Sequence, residues 1–104
     1  MHSYTRKRLL ALLALVLTTG CSGAVETSPA AYEHLKSLYQ ITNQRNSETL
    51  ELVASKIKSD QESGKITSAE AESLLEIVGD ARNGEWKAAN GAARELMEAQ
   101  LRAN

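Results

Sequence analysis

Few side chains in this sequence have a type and spacing suited to catalysis. His34 is the only histidine beyond His2, and Glu72 and Glu76 lie four residues apart, on one face of any helix that contains them. Such a pair can serve acid–base catalysis or supply half of a metal site. The usual helix-borne dimetal motif also needs a Glu-x-x-His sequence, which the chain lacks. We therefore expect these three residues to be solvated, and the sequence predicts a non-catalytic protein without metal or cofactor.

Three aromatic residues are candidates for binding rather than catalysis. Tyr32 and Tyr39 lie seven residues apart, so one face of a helix would carry both. Trp86 is the only tryptophan in the chain. Each ring can either fill a gap in a small core or lie at the centre of a protein interface, where tryptophan is enriched. The sequence leaves both interpretations open, with Trp86, Tyr32 and Tyr39 as the candidate partner contacts.

The N-terminal residues have the order of an export signal. Three cationic residues, Arg6 to Arg8, precede nine uninterrupted apolar residues, Leu9 to Leu17. Thr18-Thr19-Gly20 then leads into the only cysteine, Cys21. A basic region, a short apolar region and small residues before a cleavage point are the parts of a secretory signal peptide. The apolar run is too short for a transmembrane helix, which needs about 20 apolar residues.

Because Cys21 directly follows small residues, segment 1–21 resembles a bacterial lipoprotein signal with a lipobox. The resemblance implies that residues 1–20 are removed and that Cys21, carrying a diacylglyceryl group, becomes the first residue. Residues 21–29 would then form a lipidated tether. Ser22 after the cysteine resembles the signal for outer-membrane sorting in a bacterium with two membranes. The alternative is an ordinary signal peptide in which the position of Cys21 is a coincidence.

The composition of the mature chain favours a small helical protein. Removing residues 1–20 leaves 84 of 104 residues, enough for one small domain. The removed part holds three of the 12 basic residues and none of the 13 acidic ones, so the mature net charge is −4. This charge argues against nucleic acid as a partner, because phosphates require a basic surface. Phenylalanine is absent while alanine, glutamate, leucine and lysine are plentiful, which favours an all-α fold.

Residues 30–104 show the apolar periodicity of a small helical domain. Ser28-Pro29 is typical of a helix start, and apolar residues follow it at spacings of three and four. The polar residues 43–47 predict a break in this helix. The apolar stripe nevertheless keeps its phase across them, so one long helix is the alternative.

Local end signals define the rest of the domain. Ser63-Gly64-Lys65 is expected to end a helical stretch, and Thr67 to Glu70 has the sequence of a capping box. Asn83-Gly84 separates the helix that follows from a last one, which begins at Glu85-Trp86. The predicted fold is an all-α, short three-helix bundle, in which a C-terminal αα-hairpin packs on one long or broken N-terminal helix.

The predicted turn at Gly84 and the residues after it have a spacing known from helical hairpins. Gly84, Trp86, Ala89 and Ala93 resemble the turn of a tetratricopeptide-type helical hairpin. The resemblance implies an αα-hairpin over residues 68–102, and no second copy lies 34 residues upstream to make a repeat array. Small residues around Gly91 suggest a close approach, so we expect the last two helices to form the tightest pair.

The sequence thus predicts a lipid-anchored, non-catalytic interaction module of the cell envelope that docks another envelope protein. The alternative is a structural envelope lipoprotein that links membrane and cell wall. That alternative predicts a long, uninterrupted heptad pattern and, in the best-known family, a C-terminal lysine. Gly64 and Gly84 interrupt the pattern, and the sequence ends at Asn104, so we rank it second.

Overall fold

The computed structural model describes residues 27–103, which form four α-helices and contain no strand. The helices are α1 (Pro29–Gln44), α2 (Ser47–Glu62), α3 (Ser68–Arg82) and α4 (Trp86–Ala103). The all-α class and the helical bundle are confirmed. The predicted export signal and Cys21 lie outside the described residues.

The expected three-helix bundle is wrong, because the N-terminal half forms two helices. Arg45 adopts left-handed backbone angles, with φ of 54°, which ends α1. Asn46 then caps α2, and its side chain accepts a hydrogen bond from the Thr49 backbone N–H at 3.0 Å. The predicted break within 43–47 is therefore confirmed. It reverses the chain, so α2 packs beside α1 instead of extending it.

The other predicted ends are confirmed. Ser28 caps α1 and Pro29 occupies its first turn. Thr67 and Glu70 form the capping box of α3, each side chain accepting from the other's backbone N–H. Gly64 and Gly84, in the α2–α3 and α3–α4 turns, both have φ of +83°, which L side chains rarely adopt.

The core lies between all four helices. Its largest fully buried apolar side chains come from α1, α2 and α3, whereas α4 contributes small ones, of which Ala89 and Ala93 are completely buried. The buried apolar residues are Ala31, Leu35, Leu38, Ile41, Leu50, Ala54, Ile57, Ile66, Ala71, Leu74, Ile77, Val78, Ala81, Ala89 and Ala93.

The closest helix pair differs from the expected one. Helices α3 and α4 form the predicted hairpin, but the most extensive helix–helix contact joins α1 and α4. Gly91 is not the point of close approach, because a Cβ built on it would meet nothing within 4 Å. The small residues of α4 instead let the first and last helices of the chain pack along each other.

The four helices run up and down, so the bundle has two distinct ends. The tether end contains the starts of α1 and α3 and the ends of α2 and α4. The far end contains the α1–α2 turn and the α3–α4 turn. Hydrogen bonds from Ser28 to Glu70 mark the tether end, and those from Asn90 to Tyr39 and Thr42 mark the far end.

Candidate functional site

A cleft beside Trp86 at the far end is the candidate partner site. It has a volume of about 140 Å³ and lies between the C-terminal turn of α1 and the first turns of α4. Trp86 is partly buried and packs against the core cluster, so one part of the indole is structural while another is open to solvent. The residues that line this Trp86 cleft are Thr42, Asn43, Arg45, Trp86, Lys87 and Asn90.

The Arg45 side of the cleft is positioned by the turn between α1 and α2. The Arg45 backbone N–H donates to the carbonyl of Thr42 at 3.3 Å, and that of Asn46 donates to Ile41 at 3.2 Å. Left-handed angles cost a residue with a Cβ roughly 1–2 kcal/mol. The two hydrogen bonds and the Asn46 cap offset this cost and hold Arg45 at the rim of the cleft.

The α4 side of the cleft is fixed by Asn90. Its Nδ2 atom donates to the carbonyl oxygen of Tyr39 at 3.0 Å and to Oγ1 of Thr42 at 3.1 Å. Thr42 Oγ1 in turn donates to the carbonyl of Leu38 at 2.7 Å. The side chains of α4 and the C-terminal turn of α1 therefore form one hydrogen-bonded unit beneath the cleft, which makes the cleft pre-formed.

The cleft combines an aromatic face with two cations. Arg45 and Lys87 are exposed, and neither takes part in an ion pair among the described residues. No carboxylate lines the cleft. Pockets for drug-sized ligands usually enclose about 300–1,000 Å³, so this cleft is too small for a ligand of that size. Its size and chemistry suit one or two side chains of a partner protein, with an acidic group facing the cations.

The structure separates the three candidate partner contacts. The backbone carbonyl of Tyr39 accepts a hydrogen bond from Asn90, which lines the Trp86 cleft, so Tyr39 lies close to this cleft. Tyr32 lies at the tether end, where it lines a second cleft with Leu101, and the Nζ atom of Lys36 is 5.6 Å from its ring centroid. Tyr32 and Tyr39 lie two helical turns apart, about 10 Å along α1, and of the two only Tyr39 lies beside the Trp86 cleft.

The prediction that His34 is a solvated residue is wrong. His34 is only 6% exposed and Asp60 only 8%, and the His34 Nε2 atom lies 2.7 Å from Oδ2 of Asp60. The pair joins α1 to the end of α2. The signal was present in the sequence, because His34 shares the i, i+3, i+4 stripe of Ala31, Leu35 and Leu38.

The His34–Asp60 pair is structural in our interpretation. The hydrogen bond from His34 lowers the pKa of Asp60, and this effect exceeds the opposing effect of burial. The carbonyl of Asp60 also accepts from the backbone N–H groups of Lys65 and Ile66, at 2.8 and 3.4 Å. A histidine–carboxylate pair is part of a hydrolytic triad only when it reaches a substrate-facing nucleophile, and this pair is enclosed by the bundle.

A second polar arrangement holds the point at which the tether enters the bundle. The backbone N–H of Ser28 donates to Glu70 Oε2 at 2.7 Å, and its hydroxyl donates to Oε1 at 3.2 Å. The backbone N–H of Thr27 donates to Gln100 Oε1 at 2.9 Å. These four residues, which we call the tether junction, connect the first described residue to both α3 and α4.

Glu70 serves two helices at the tether junction. Its Oε1 also accepts from the Thr67 backbone N–H at 2.9 Å, so one carboxylate binds the cap residues of α1 and α3. Partial burial alone would raise the pKa of Glu70, but the hydrogen bonds from Ser28 and Thr67 outweigh it and lower the pKa. The sequence predicted the capping box but gave no sign of the contact with Ser28, which lies 42 residues away.

The two other candidate carboxylates, Glu72 and Glu76, belong neither to the tether junction nor to the His34–Asp60 pair. Glu72 and Glu76 are exposed, as expected from the sequence, and line an open depression of about 670 Å³ between α3 and Gln61 of α2. Within residues 27–103, no three histidine, cysteine, aspartate or glutamate side chains come together in a way that suits a metal ion. No helix in the same part of the chain has the length and apolar character needed to cross a bilayer.

No protein-family model matches the chain, and neither the curated proteins nor the solved structures contain a match. Cys21, the predicted lipidation site, lies outside the described residues.

Proposed function

We propose that this protein is a lipid-anchored, non-catalytic interaction module of the bacterial cell envelope. The observation that carries the proposal is the order of residues 1–21, in which a basic region, nine apolar residues and small residues precede the only cysteine. In this proposal acylated Cys21 holds the helical bundle on a membrane. Ser22 favours the outer membrane, facing the periplasm, where the host has two membranes.

The geometry of the bundle supports a division between anchoring and binding. The tether junction lies at one end, while the Trp86 cleft lies at the other end of α1. A helix of 16 residues is about 24 Å long, so the cleft is held well away from the point where the tether enters. A partner that binds the cleft is thus presented away from the anchored end.

A protein is the partner class that fits the cleft. Tryptophan and arginine are the residue types most enriched among those that dominate binding energies, and Trp86 and Arg45 lie together in the cleft. Lys87 adds a second cation, whereas the mature chain as a whole is acidic. An acidic segment of another envelope protein therefore suits the cleft better than the rest of the surface.

Cross-linking in the native envelope tests this function. The lipidated protein is cross-linked mildly and purified, and the captured proteins are compared between wild type and the charge reversals Arg45→Glu and Lys87→Glu. Both side chains are exposed, so the fold should survive and the main captured protein should be lost. Lys58→Glu, an exposed reversal on α2, is the matched control and should keep it. Capture that is equal in all four proteins would contradict a role for the cleft.

A further inference from the structure

The surface around the tether entry is apolar. Two clefts share Thr27, the first described residue. One, of about 200 Å³, lies between α1, α3 and α4, where Leu96 and the Glu70 carboxylate are among the lining residues. The other, of about 230 Å³, lies beside Leu101. The second cleft is lined by Pro29, Tyr32 and Gln100 as well, and none of its side chains is charged. Thr27 therefore lies between two depressions whose lining is mostly apolar.

Exposed leucines are concentrated at this end. Among the described residues, three large apolar side chains are exposed: Leu96 at 39%, Leu101 at 64% and Leu52 at 69%. Leu96 and Leu101 each border one of the two clefts that share Thr27, whereas Leu52 stands alone on α2. Single exposed leucines are ordinary in soluble proteins. Here Leu101 lies beside Tyr32 and Pro29, and Leu96 borders the adjoining cleft, so together they make an apolar surface of the kind that contacts a partner or a membrane.

The tether length limits what that neighbour is. Only five residues, 22–26, separate Cys21 from Thr27. A fully extended chain spans at most 3.3–3.6 Å per residue, so acylated Cys21 lies within about 20 Å of the apolar surface. Any bilayer that holds Cys21 is therefore within reach of the tether end, and the tether junction fixes the point at which Thr27 joins the bundle.

We propose that Pro29, Tyr32, Leu96 and Leu101, the tether-end patch, lie against the lipid surface in the anchored protein. This inference rests on the proposed lipidation of Cys21. An apolar face of this kind enters the boundary between headgroups and acyl chains by about 5–10 Å. Tyr32 suits that boundary because its ring is apolar and its hydroxyl is polar. The Nζ atom of Lys36, 5.6 Å from the centroid of this ring, is paired with Glu33 at 2.9 Å, so its charge is balanced within α1. The bundle then stands on the membrane with the Trp86 cleft pointing away.

Tryptophan quenching by lipid tests the orientation. The lipidated protein is reconstituted in phosphatidylcholine vesicles with brominated acyl chains, which quench only tryptophans close to the bilayer. Wild type carries Trp86 alone; two further proteins combine Trp86→Phe with either Leu101→Trp or the matched control Leu52→Trp. The Leu101→Trp protein should lose fluorescence relative to vesicles without bromine. The Leu52→Trp and wild-type proteins should keep theirs.

Vesicle flotation and hydrogen exchange complete the test. Flotation of the lipidated protein with the vesicles would show that the lipid anchor holds. If the protein floats but the bromine quenches Leu101→Trp no more than it quenches Leu52→Trp, the proposed orientation is wrong although the anchor is right. If it does not float, the anchoring fails and the orientation with it. Should Trp86→Phe unfold the domain, amide exchange of the wild type should show protection by vesicles at residues 96–103 and none at 45–52. Equal protection of both segments would overturn the proposal.

Discussion

The His34–Asp60 pair is the place in the described core where two ionisable side chains are buried against each other. Removing either partner leaves the other without its main hydrogen bond in a poorly solvated position. The pair thus fixes how α1 meets the end of α2. It has a consequence for acid stability, because the pKa of Asp60 is lowered by the hydrogen bond from His34.

The stability of the domain should fall in acid, and Asp60 should account for part of the loss. A carboxyl group with a lowered pKa in the folded state contributes stability that is complete above its ordinary pKa, about 3.9 for aspartate. That stability is lost as the pH falls through the folded-state value. Asp60→Asn should unfold more readily at pH 6 and should lose less stability between pH 6 and pH 3. Urea unfolding across this range measures both effects.

The comparison protein for the acid test is Glu51→Gln. Glu51 also has a lowered pKa, first because of its hydrogen bonds with Arg82, at 2.6 and 2.8 Å, but it is exposed. Its effect should be small at physiological salt, because exposed ion pairs contribute little. A wild type and an Asp60→Asn variant with parallel pH profiles would contradict the role of the buried pair.

Glu70 should matter more to stability than a single cap. Thr67→Ala removes one capping hydrogen bond and should cost about 1 kcal/mol. Glu70→Ala should cost more, because it removes the acceptor for backbone N–H groups at the starts of two helices. Glu72→Ala, on the exposed face of the same helix, should leave the unfolding curve unchanged. Equal costs for Glu70→Ala and Thr67→Ala would show that the contact with Ser28 contributes nothing.

Trp86 should contribute both to the core and to binding. Replacing a fully buried aromatic residue by alanine costs about 3–5 kcal/mol. Trp86 is only partly buried, so Trp86→Ala should cost less than this range while it strongly reduces capture of the partner. Chemical denaturation gives the first quantity and envelope cross-linking the second. A cost within the full-burial range with unchanged capture would make Trp86 a core residue alone.

At the scale of helices and turns, replacing a glycine by alanine should change the free energy of unfolding in opposite directions within a helix and in a turn. Gly91 lies within α4 with free space around its Cα, so Gly91→Ala should stabilise the domain by about 0.5–1 kcal/mol through helix propensity. Gly84 has φ of +83°, so Gly84→Ala should destabilise it by about 1–2 kcal/mol. Guanidinium unfolding of the two variants measures these values. A destabilising Gly91→Ala would reveal a close approach that the structure does not show.

The sequence predicted most helix ends because the responsible residues are local. Ser28-Pro29, the capping box at Thr67, and the glycines 64 and 84 act within one turn of their own positions. The helix number was wrong because the α1–α2 turn uses Arg45 in a conformation usually taken by glycine. The apolar stripe continues in phase through this turn, so periodicity alone does not separate two antiparallel helices from one long helix.

The candidate sites were harder to predict because their contacts are remote in sequence. Asp60 lies 26 residues from His34, and Asn90 lies 51 residues from Tyr39. Spacing along one helix carries no information on such pairs. The apolar spacing of Ala31, Leu35 and Leu38 includes His34, yet His34 was expected to be solvated because its partner Asp60 lies on another helix. Trp86 was predicted as a candidate contact from its residue type. The sequence did not predict that Arg45 and Lys87 lie beside it.

At the scale of the whole molecule, the two ends of the bundle have different functions in our proposal. The tether junction and the tether-end patch face the lipid in our proposal, and the Trp86 cleft faces a partner. The most extensive packing, between α1 and α4, connects the two ends.

The most direct test of this account is the mass of the mature protein isolated from the envelope of the bacterium that produces it. Mass spectrometry of the intact chain and of its N-terminal peptide should show that residues 1–20 are absent and that the first residue is Cys21 with fatty acyl chains. Cys21→Ser should abolish the lipid modification and release the domain from the membrane or leave the signal uncut. A mature chain that begins at another residue, or one that carries a free thiol at Cys21, would contradict the lipid anchor.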